Sequence, residues 1–316
     1  MLKRLVVGCL LFVGATAEAP AGTQDCTASL APTGSPNEQA GLLVEAAKAC
    51  VGQGDLDQAV SLFSQAIAKD PNNATAYLDR GTVYAKKGDV WAGIGDFNRV
   101  IALSPDMAEA WYSRGTVYVR LGQLESGIAD LSEAIRRDPT MGLAYCNRGM
   151  AYMAQQKLEQ ALDDLTAGLK RDNPGIAFCY FALGKLFMSQ KEYQQAVDSF
   201  SQGINRVPTS AEALAQRGLA YEQLGDRAKA LADFHSALGI SPSLRSAQAG
   251  VERLAPEASA RCQKLWPQLV RGAASLTYDE ASAYIENFKV ADPDQDGIFT
   301  ETEFLDACTR GLVRYL

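Results

Sequence analysis

The sequence predicts an all-α chain, with about six helix-turn-helix units stacked in tandem and a small helical module after them. Three observations predict it. First, Ala76-Tyr77-Leu78-Asp79-Arg80-Gly81-Thr82-Val83-Tyr84 returns 34 residues later as Ala110-Trp111-Tyr112-Ser113-Arg114-Gly115-Thr116-Val117-Tyr118. A fixed period of that length marks a unit that buries its apolar face only against neighbouring copies. Second, both copies continue into a Gly, an apolar stripe and a Pro, Pro105 or Pro139, and Pro ends a helix because it cannot extend the backbone ladder. Third, 47% hydrophobic, 8% aromatic and 21% charged residues are the composition of an ordinary globular protein. A length of 316 residues suggests two or so domains, but a tandem array grows without a central core and overrides that expectation.

The pattern falls at 40–73, 74–107, 108–141, 142–176, 177–210 and 211–244. In the first copy Ala47 and Cys50 replace the Gly and Tyr, while Ala59, Phe63, Ala66 and Pro71 are kept. The fourth carries one extra residue near Asn173 before Pro174; the fifth reads Tyr180, Gly184, Phe187, Ala196, Phe200, Pro208, and the sixth Gly218, Tyr221, Gly225, Ala230, Phe234, Ala237, Pro242. Gly in the first helix and Ala in the second let two backbones approach, and larger residues would hold them apart. Period and landmarks together resemble the tetratricopeptide repeat (TPR) over roughly two thirds of the chain. The resemblance implies a right-handed solenoid of helix pairs, A and B.

Residues 1–17 read as a secretory signal: Lys3-Arg4, an apolar run from Leu5 to Val13, and small residues at Ala15-Thr16-Ala17, with cleavage expected after Ala17. The stretch Val6-Val7-Gly8-Cys9 resembles a lipoprotein box, but the apolar run continues past Cys9. No other run approaches the ~20 apolar residues that cross a bilayer. Export, to a periplasm or the medium, is the expectation. Losing the two leader cations takes the net charge from -7 to -9, which disfavours nucleic acid and anionic membrane surfaces as partners.

Segment 18–39 is rich in Ala, Pro, Gly, Thr and Ser to residue 35 and reads as a flexible tether. Ser35-Pro36-Asn37-Glu38 then matches a capping box with Pro at the first helical position. Six cysteines remain after the leader: Cys26, Cys50, Cys146, Cys179, Cys262 and Cys308. An even count in an exported chain favours disulfides, with 15 possible pairings. Cys26 with Cys50, Cys146 with Cys179 on successive A helices, and Cys262 with Cys308 are the expected ones; the alternative is that Cys146 and Cys179 are simply small buried residues.

Arg80, Arg114, Arg148 and Arg217 recur at one A-helix position, each matched sixteen residues later by Asp96, Asp130, Asp164 or Asp233. Copies without the Arg also lack the Asp: Ala46 goes with Leu62, and Leu183 with Ser199. A basic stripe for an acidic peptide is one reading. The matched loss instead predicts four bridges between helix A and helix B of one repeat, in the bidentate geometry that suits a guanidinium and a carboxylate.

The TPR resemblance further implies that a partner segment lies along the A helices, here on Tyr112, Thr116, Val119, Cys146, Met150, Met153, Phe178, Phe181 and Met188. That floor is apolar and Met-rich, suited to an extended or helical segment, and lacks the Lys and Asn arrangement with which some TPR domains clamp a carboxylate. Neighbouring repeats covering these side chains is the alternative.

Residues 245–256 have the spacing of a capping helix closed by Pro256, and 257–316 follow as a C-terminal helix with Leu265, Trp266 and Leu269 and a second motif. Asp292-Pro293-Asp294-Gln295-Asp296-Gly297-Ile298-Phe299-Thr300-Glu301-Thr302-Glu303 resembles an EF-hand loop, 292–303, at every ligand position. The resemblance implies a Ca2+ ion held by Asp292, Asp294, Asp296, the Ile298 carbonyl, Thr300 through water, and a bidentate Glu303, with Gly297 at the sharp turn. Thr277-Tyr278-Asp279-Glu280 is a capping box for the entering helix. No second loop is legible, so Phe299 and Phe304 need cover from a second chain or from the Leu265-Trp266-Leu269 helix and the last repeat.

A single His, His235, excludes a zincin motif or a His cluster, and Gly-x-Ser-x-Gly, Ser-x-x-Lys and phosphate-loop spacings are missing. The sequence therefore predicts a non-enzymatic, exported adaptor that binds a protein or peptide segment in its groove and calcium in its tail. The alternative is a calcium-dependent homodimer or surface-assembly component with no mobile groove ligand.

Overall fold

A computed structural model describes residues 34–171, 176–270, 275–277, 280–281, 284–285, 291, 297–309 and 313, with the side chains of 255–262 left aside. The chain forms two units, Met1–Arg171 and Asp172–Leu316.

The first unit is built from four helix pairs: α1 (Pro36–Gln53) with α2 (Leu56–Lys69), α3 (Ala74–Lys87) with α4 (Val90–Leu103), α5 (Ala108–Arg120) with α6 (Leu124–Arg137), and α7 (Gly142–Ala154) with α8 (Leu158–Leu169). Helix α1 starts where the capping box predicts. Ser35 Oγ accepts from the Glu38 N–H, and Glu38 Oε2 accepts from the Ser35 N–H at 2.6 Å. That start lies ahead of residue 40, so the first boundary moves back to Pro36.

Helix B ends for one repeated reason. Pro disfavours helical backbone at the residue before it, and Asp70, Ser104, Asp138, Val207 and Ser241, each preceding a Pro, have left the helical region with ψ between 74 and 93°. Within a pair the backbones nearly touch. A Cβ on Gly93 would lie 2.8 Å from the Gly81 carbonyl oxygen, and one on Gly81 3.1 Å from that of Gly93. Against that contact the second helix inserts one large residue per repeat, Phe63, Phe97, Leu131 and Leu165, all fully buried.

The second unit continues the same plan with α9 (Ala177–Gln190) and α10 (Tyr193–Arg206), then α11 (Ala211–Gln223) and α12 (Arg227–Ile240), with Phe200 and Phe234 as the buried inserts. Helix α13 corrects the sequence reading. It runs unbroken from Arg245 to Val270 across Pro256 and Pro267, where a capping helix ending at Pro256 and a separate second helix are expected. Its first half packs Ala247, Val251 and Leu254 into the core of the last repeats, and its second half packs Leu265, Trp266, Leu269 and Val270 into a separate core with Leu276, Ile285, Phe299 and Phe304. Pro removes one ladder bond and crowds the preceding turn, and anchorage at both ends offsets that cost.

The C-terminal module adds a short two-stranded ladder to the all-α array. Strands β1 (Ser275–Thr277) and β2 (Ile298–Thr300) pair antiparallel, Leu276 opposite Phe299, before α14 (Glu301–Thr309). Among the described residues no helix is long and apolar enough to cross a membrane. Residues 1–33, with the signal and tether readings and Cys9 and Cys26, lie outside the described residues.

Candidate functional site

The recurrent arginines are built into the repeats. Arg114 Nε and Nη2 donate to Asp130 Oδ2 and Oδ1 at 2.7 and 2.8 Å; Arg80 with Asp96, Arg148 with Asp164 and Arg217 with Asp233 have the same two bonds within 0.1 Å. The carboxylates are buried and the arginines nearly so. A third bond escapes the sequence reading: Nη1 reaches back to helix B of the preceding repeat, to Ser64, Asn98, Ser132 or Ser201. The signal is present, since each of these stands sixteen residues before its Arg. Thr166, at that place ahead of Leu183 once the extra residue is counted, bonds instead to the carbonyls of Leu162 and Asp163 in its own helix.

Aromatic rings close the cage. Arg80 lies over Tyr77 and Tyr84, Arg114 over Trp111 and Tyr118, and Arg148 over Tyr145 and Tyr152, all within 6.0 Å of the ring centres. The carboxylate bonds hold the guanidiniums of Arg80, Arg114 and Arg148 above the ordinary arginine value. Burial lifts the Asp233 carboxyl above the usual aspartate range, and its bonds to Arg217 offset part of that rise. With three of its five N–H groups bonded inside the fold and the carboxylate of its own repeat as counter-ion, each of these arginines is a structural element of the repeat and not part of a stripe for an acidic peptide.

Contacts that join successive A helices mark the face those helices share. In the first unit Lys48 of α1 lies 3.8 Å from Asp79 of α3 and 3.0 Å from Glu45. Burial raises the Asp79 carboxyl above its ordinary value, against the pull of Lys48. Further along, Asn147 Nδ2 of α7 donates to the Tyr112 hydroxyl of α5 at 3.3 Å and to the Leu143 carbonyl at 2.9 Å. Burial raises the Tyr112 hydroxyl, which Thr116 and Asn147 partly counter. Asn147, which the sequence reading omits, is itself buried and ties the two A helices together. Thr116, Val119, Met150 and Met153 are half-buried on this face. Cys146 is a correction, because it is fully buried: a Cβ on Gly168 would lie 2.5 Å from its Sγ.

In the second unit Phe178 and Met188 of α9 are half-buried. Phe181 is the second correction. It is 8% exposed, and its ring faces Gly203 of α10 so closely that a Cβ there would meet Cε1 at 2.2 Å. Both corrected positions look apolar and A-helical in sequence, yet each fills the gap left by a helix-B glycine. Cys50, Cys146, Cys179 and Cys308 are each disulfide-bonded.

In the C-terminal module Asp292, Asp294 and Asp296 lie outside the described residues, as does Tyr278. Gly297 has φ +77°, the left-handed turn that favours glycine. Ile298 is exposed and Phe299 buried on β2. Glu303 Oε2 accepts from the Thr300 N–H at 2.9 Å and its hydroxyl at 2.6 Å, and the Glu303 N–H donates back to Thr300 Oγ1 at 3.3 Å. The two rings that needed cover receive it within the chain: Trp266 packs on Phe304 at 5.1 Å between centroids, tilted by 38°, and Phe299 meets Phe304 edge-on at 6.3 Å.

Comparison with known proteins is consistent along the array. A tetratricopeptide-repeat family model matches residues 92–142, 146–204 and 181–244, and a second, described as TPR repeat, matches 47–88. Among solved structures, a chain of the APC/C hetero-tetramer Cut9-Hcn1 is similar at 18% identity and TM-score 0.64, over 68% of this chain and 42% of that one. PilW, a type IV pilus biogenesis factor, is similar at 21% identity and TM-score 0.61, over 67% and 98% of the two chains. PilF of Pseudomonas aeruginosa is similar at 17% identity and TM-score 0.59, over 68% and 97%. At these identities the likeness is one of fold. No curated protein matches the sequence.

Proposed function

Because the chain belongs to the tetratricopeptide-repeat family, we propose that it is an exported, non-enzymatic adaptor that takes a protein or peptide segment along its A helices and a calcium ion in the loop 292–303. The observation that carries the adaptor reading is the set of half-buried apolar side chains left on the A helices, Val119, Met150 and Met153 in one unit and Phe178 and Met188 in the other. Unbranched thioethers conform to more than one partner surface, and an apolar groove takes an amphipathic or extended segment by its side chains. Met150→Glu with Phe178→Glu should abolish partner capture in a crosslinked pull-down from the exported compartment while helix content stays unchanged. Retained capture would put the partner elsewhere.

The calcium reading is supported by chemistry and by the turn. A hard cation takes oxygen ligands, and Asp292, Asp294, Asp296, the Ile298 carbonyl, Thr300 and Glu303 all offer oxygen and stand close to Gly297 in sequence, which takes the left-handed turn. Exported modules of this kind bind at roughly 0.1 to 1 mM. Isothermal titration should show that affinity and lose it in Glu303→Gln; a flat wild-type titration up to several times that concentration would defeat the reading. Export is supported by the disulfides, which persist in oxidising compartments, and sequencing of the mature N-terminus should begin at Glu18.

A further inference from the structure

Building on the groove reading above, we infer that Asp79, with Glu45 and Lys48 beside it, is the receptor for one basic side chain of the partner segment. That segment then carries a Lys or Arg about three residues from one apolar residue and about six from another.

In the first unit the A helices α1, α3, α5 and α7 lie each against the next, and the residues on their shared face recur with the period. Asp79, Ser113 and Asn147 stand 34 residues apart, as do Lys48, Thr82 and Thr116. In α7 the residue at this place is satisfied, since Asn147 donates to the Tyr112 hydroxyl and to the Leu143 carbonyl. In α3 it is not. Asp79 Oδ2 is closed to solvent and accepts no hydrogen bond among the described residues. Its paired cation, Lys48, lies 3.8 Å away and bonds Glu45 at 3.0 Å. A carboxylate taken partly out of water gains when a donor reaches it.

The local charge selects a cation as that donor. One ammonium between two carboxylates leaves one negative charge over. Burial lifts the Asp79 carboxyl, Lys48 pulls it back and Glu45 lifts it again, so the charged form gains further from a second cation. The approach is open. Lys48 is 46% exposed on a flexible stem, and it can turn to Glu45 alone. The Asp79 side chain keeps 29% of its surface, which with Oδ2 covered is its other oxygen and its methylene. An incoming ammonium or guanidinium donates there in a charge-assisted bond.

Helix packing sets the spacing. Packed helix axes lie ~8–10 Å apart and extended backbone advances ~3.3 Å per residue. A segment that starts at Asp79 on α3 and crosses the A helices reaches the half-buried Val119 on α5 after about three residues, and Met150 and Met153 on α7 after about six.

The test selects random peptides displayed on phage against the immobilised full chain. Selected sequences should hold one Lys or Arg with apolar residues about three and about six positions away; against Asp79→Asn only the apolar spacing should survive. In solution the strongest selected peptide should bind Asp79→Asn about tenfold more weakly with an unchanged thermal midpoint, and should bind Lys48→Met, which leaves two carboxylates for one incoming cation, more tightly than wild type. A purely structural Asp79 would give neither change. Selected peptides without a basic residue, a basic preference that survives Asp79→Asn, or weaker binding to Lys48→Met would overturn the inference and leave the groove standing. Peptides that still bind Met150→Glu/Phe178→Glu would defeat the groove reading itself, and this inference with it.

Discussion

Arg114 shows how much one position can do in a repeat. It binds Asp130 through two N–H groups, Asn98 of the preceding repeat through a third, and lies between Trp111 and Tyr118. Removing it strands a buried carboxylate, which costs more than the pair contributes. Arg114→Leu should therefore lose about 2–3 kcal/mol, with Arg114→Leu/Asp130→Leu milder than the single change; a denaturation cycle with no coupling would dispose of the bridge as an energetic unit. The turn between helices A and B carries a smaller strain. Gly54, Gly88, Gly122 and Gly225 take positive φ there, but Gln156 and Lys191 take it at 62 and 63°. A side chain in that region costs about 1–2 kcal/mol, and glycine returns part of it as chain entropy. Lys191→Gly should raise stability by about 0.5–1 kcal/mol, read as a higher thermal midpoint.

At the scale of an element, the helix starts and stops were legible and α13 was not. A capping box or a Pro acts on its immediate neighbours, so Ser35 with Glu38, and the Pro that follows α2, α4, α6, α10 and α12, announce themselves in sequence. Whether a helix survives Pro256 depends on what its two ends touch, and those contacts come from residues far away in the chain. Helix α13 belongs to two cores at once, Leu254 in one and Trp266 in the other. Trp266→Ala should cost about 3–5 kcal/mol in the C-terminal core, and its effect should travel. Hydrogen exchange is expected to rise along 245–254 as well as at β2, while α5 to α8 keep wild-type protection. Unchanged protection at 245–254 would show that the two halves of α13 are energetically separate.

For the whole molecule, the disulfides add to what a tandem array supplies, since each repeat is held only by its neighbours. Cys50, Cys146, Cys179 and Cys308 are all bonded, and a native disulfide is worth about 2–4 kcal/mol, mainly by restricting the unfolded chain. Full reduction should lower the thermal midpoint by several degrees, with far-UV dichroism following the loss; an unchanged midpoint would mean that the repeats alone set stability. The sequence by itself determined the period, the six helix pairs, the residues that end them and the pairing of each Arg with the Asp of its own repeat, because all of these are written as local spacing repeated at a constant interval. Only the tertiary structure decided that Cys146 and Phe181 fill glycine gaps instead of lining a face, that α13 runs through Pro256, and that β1 and Trp266 cover Phe299 and Phe304. Each of those outcomes turns on which distant surface reaches a side chain first, and burial against a distant surface leaves no period in the sequence.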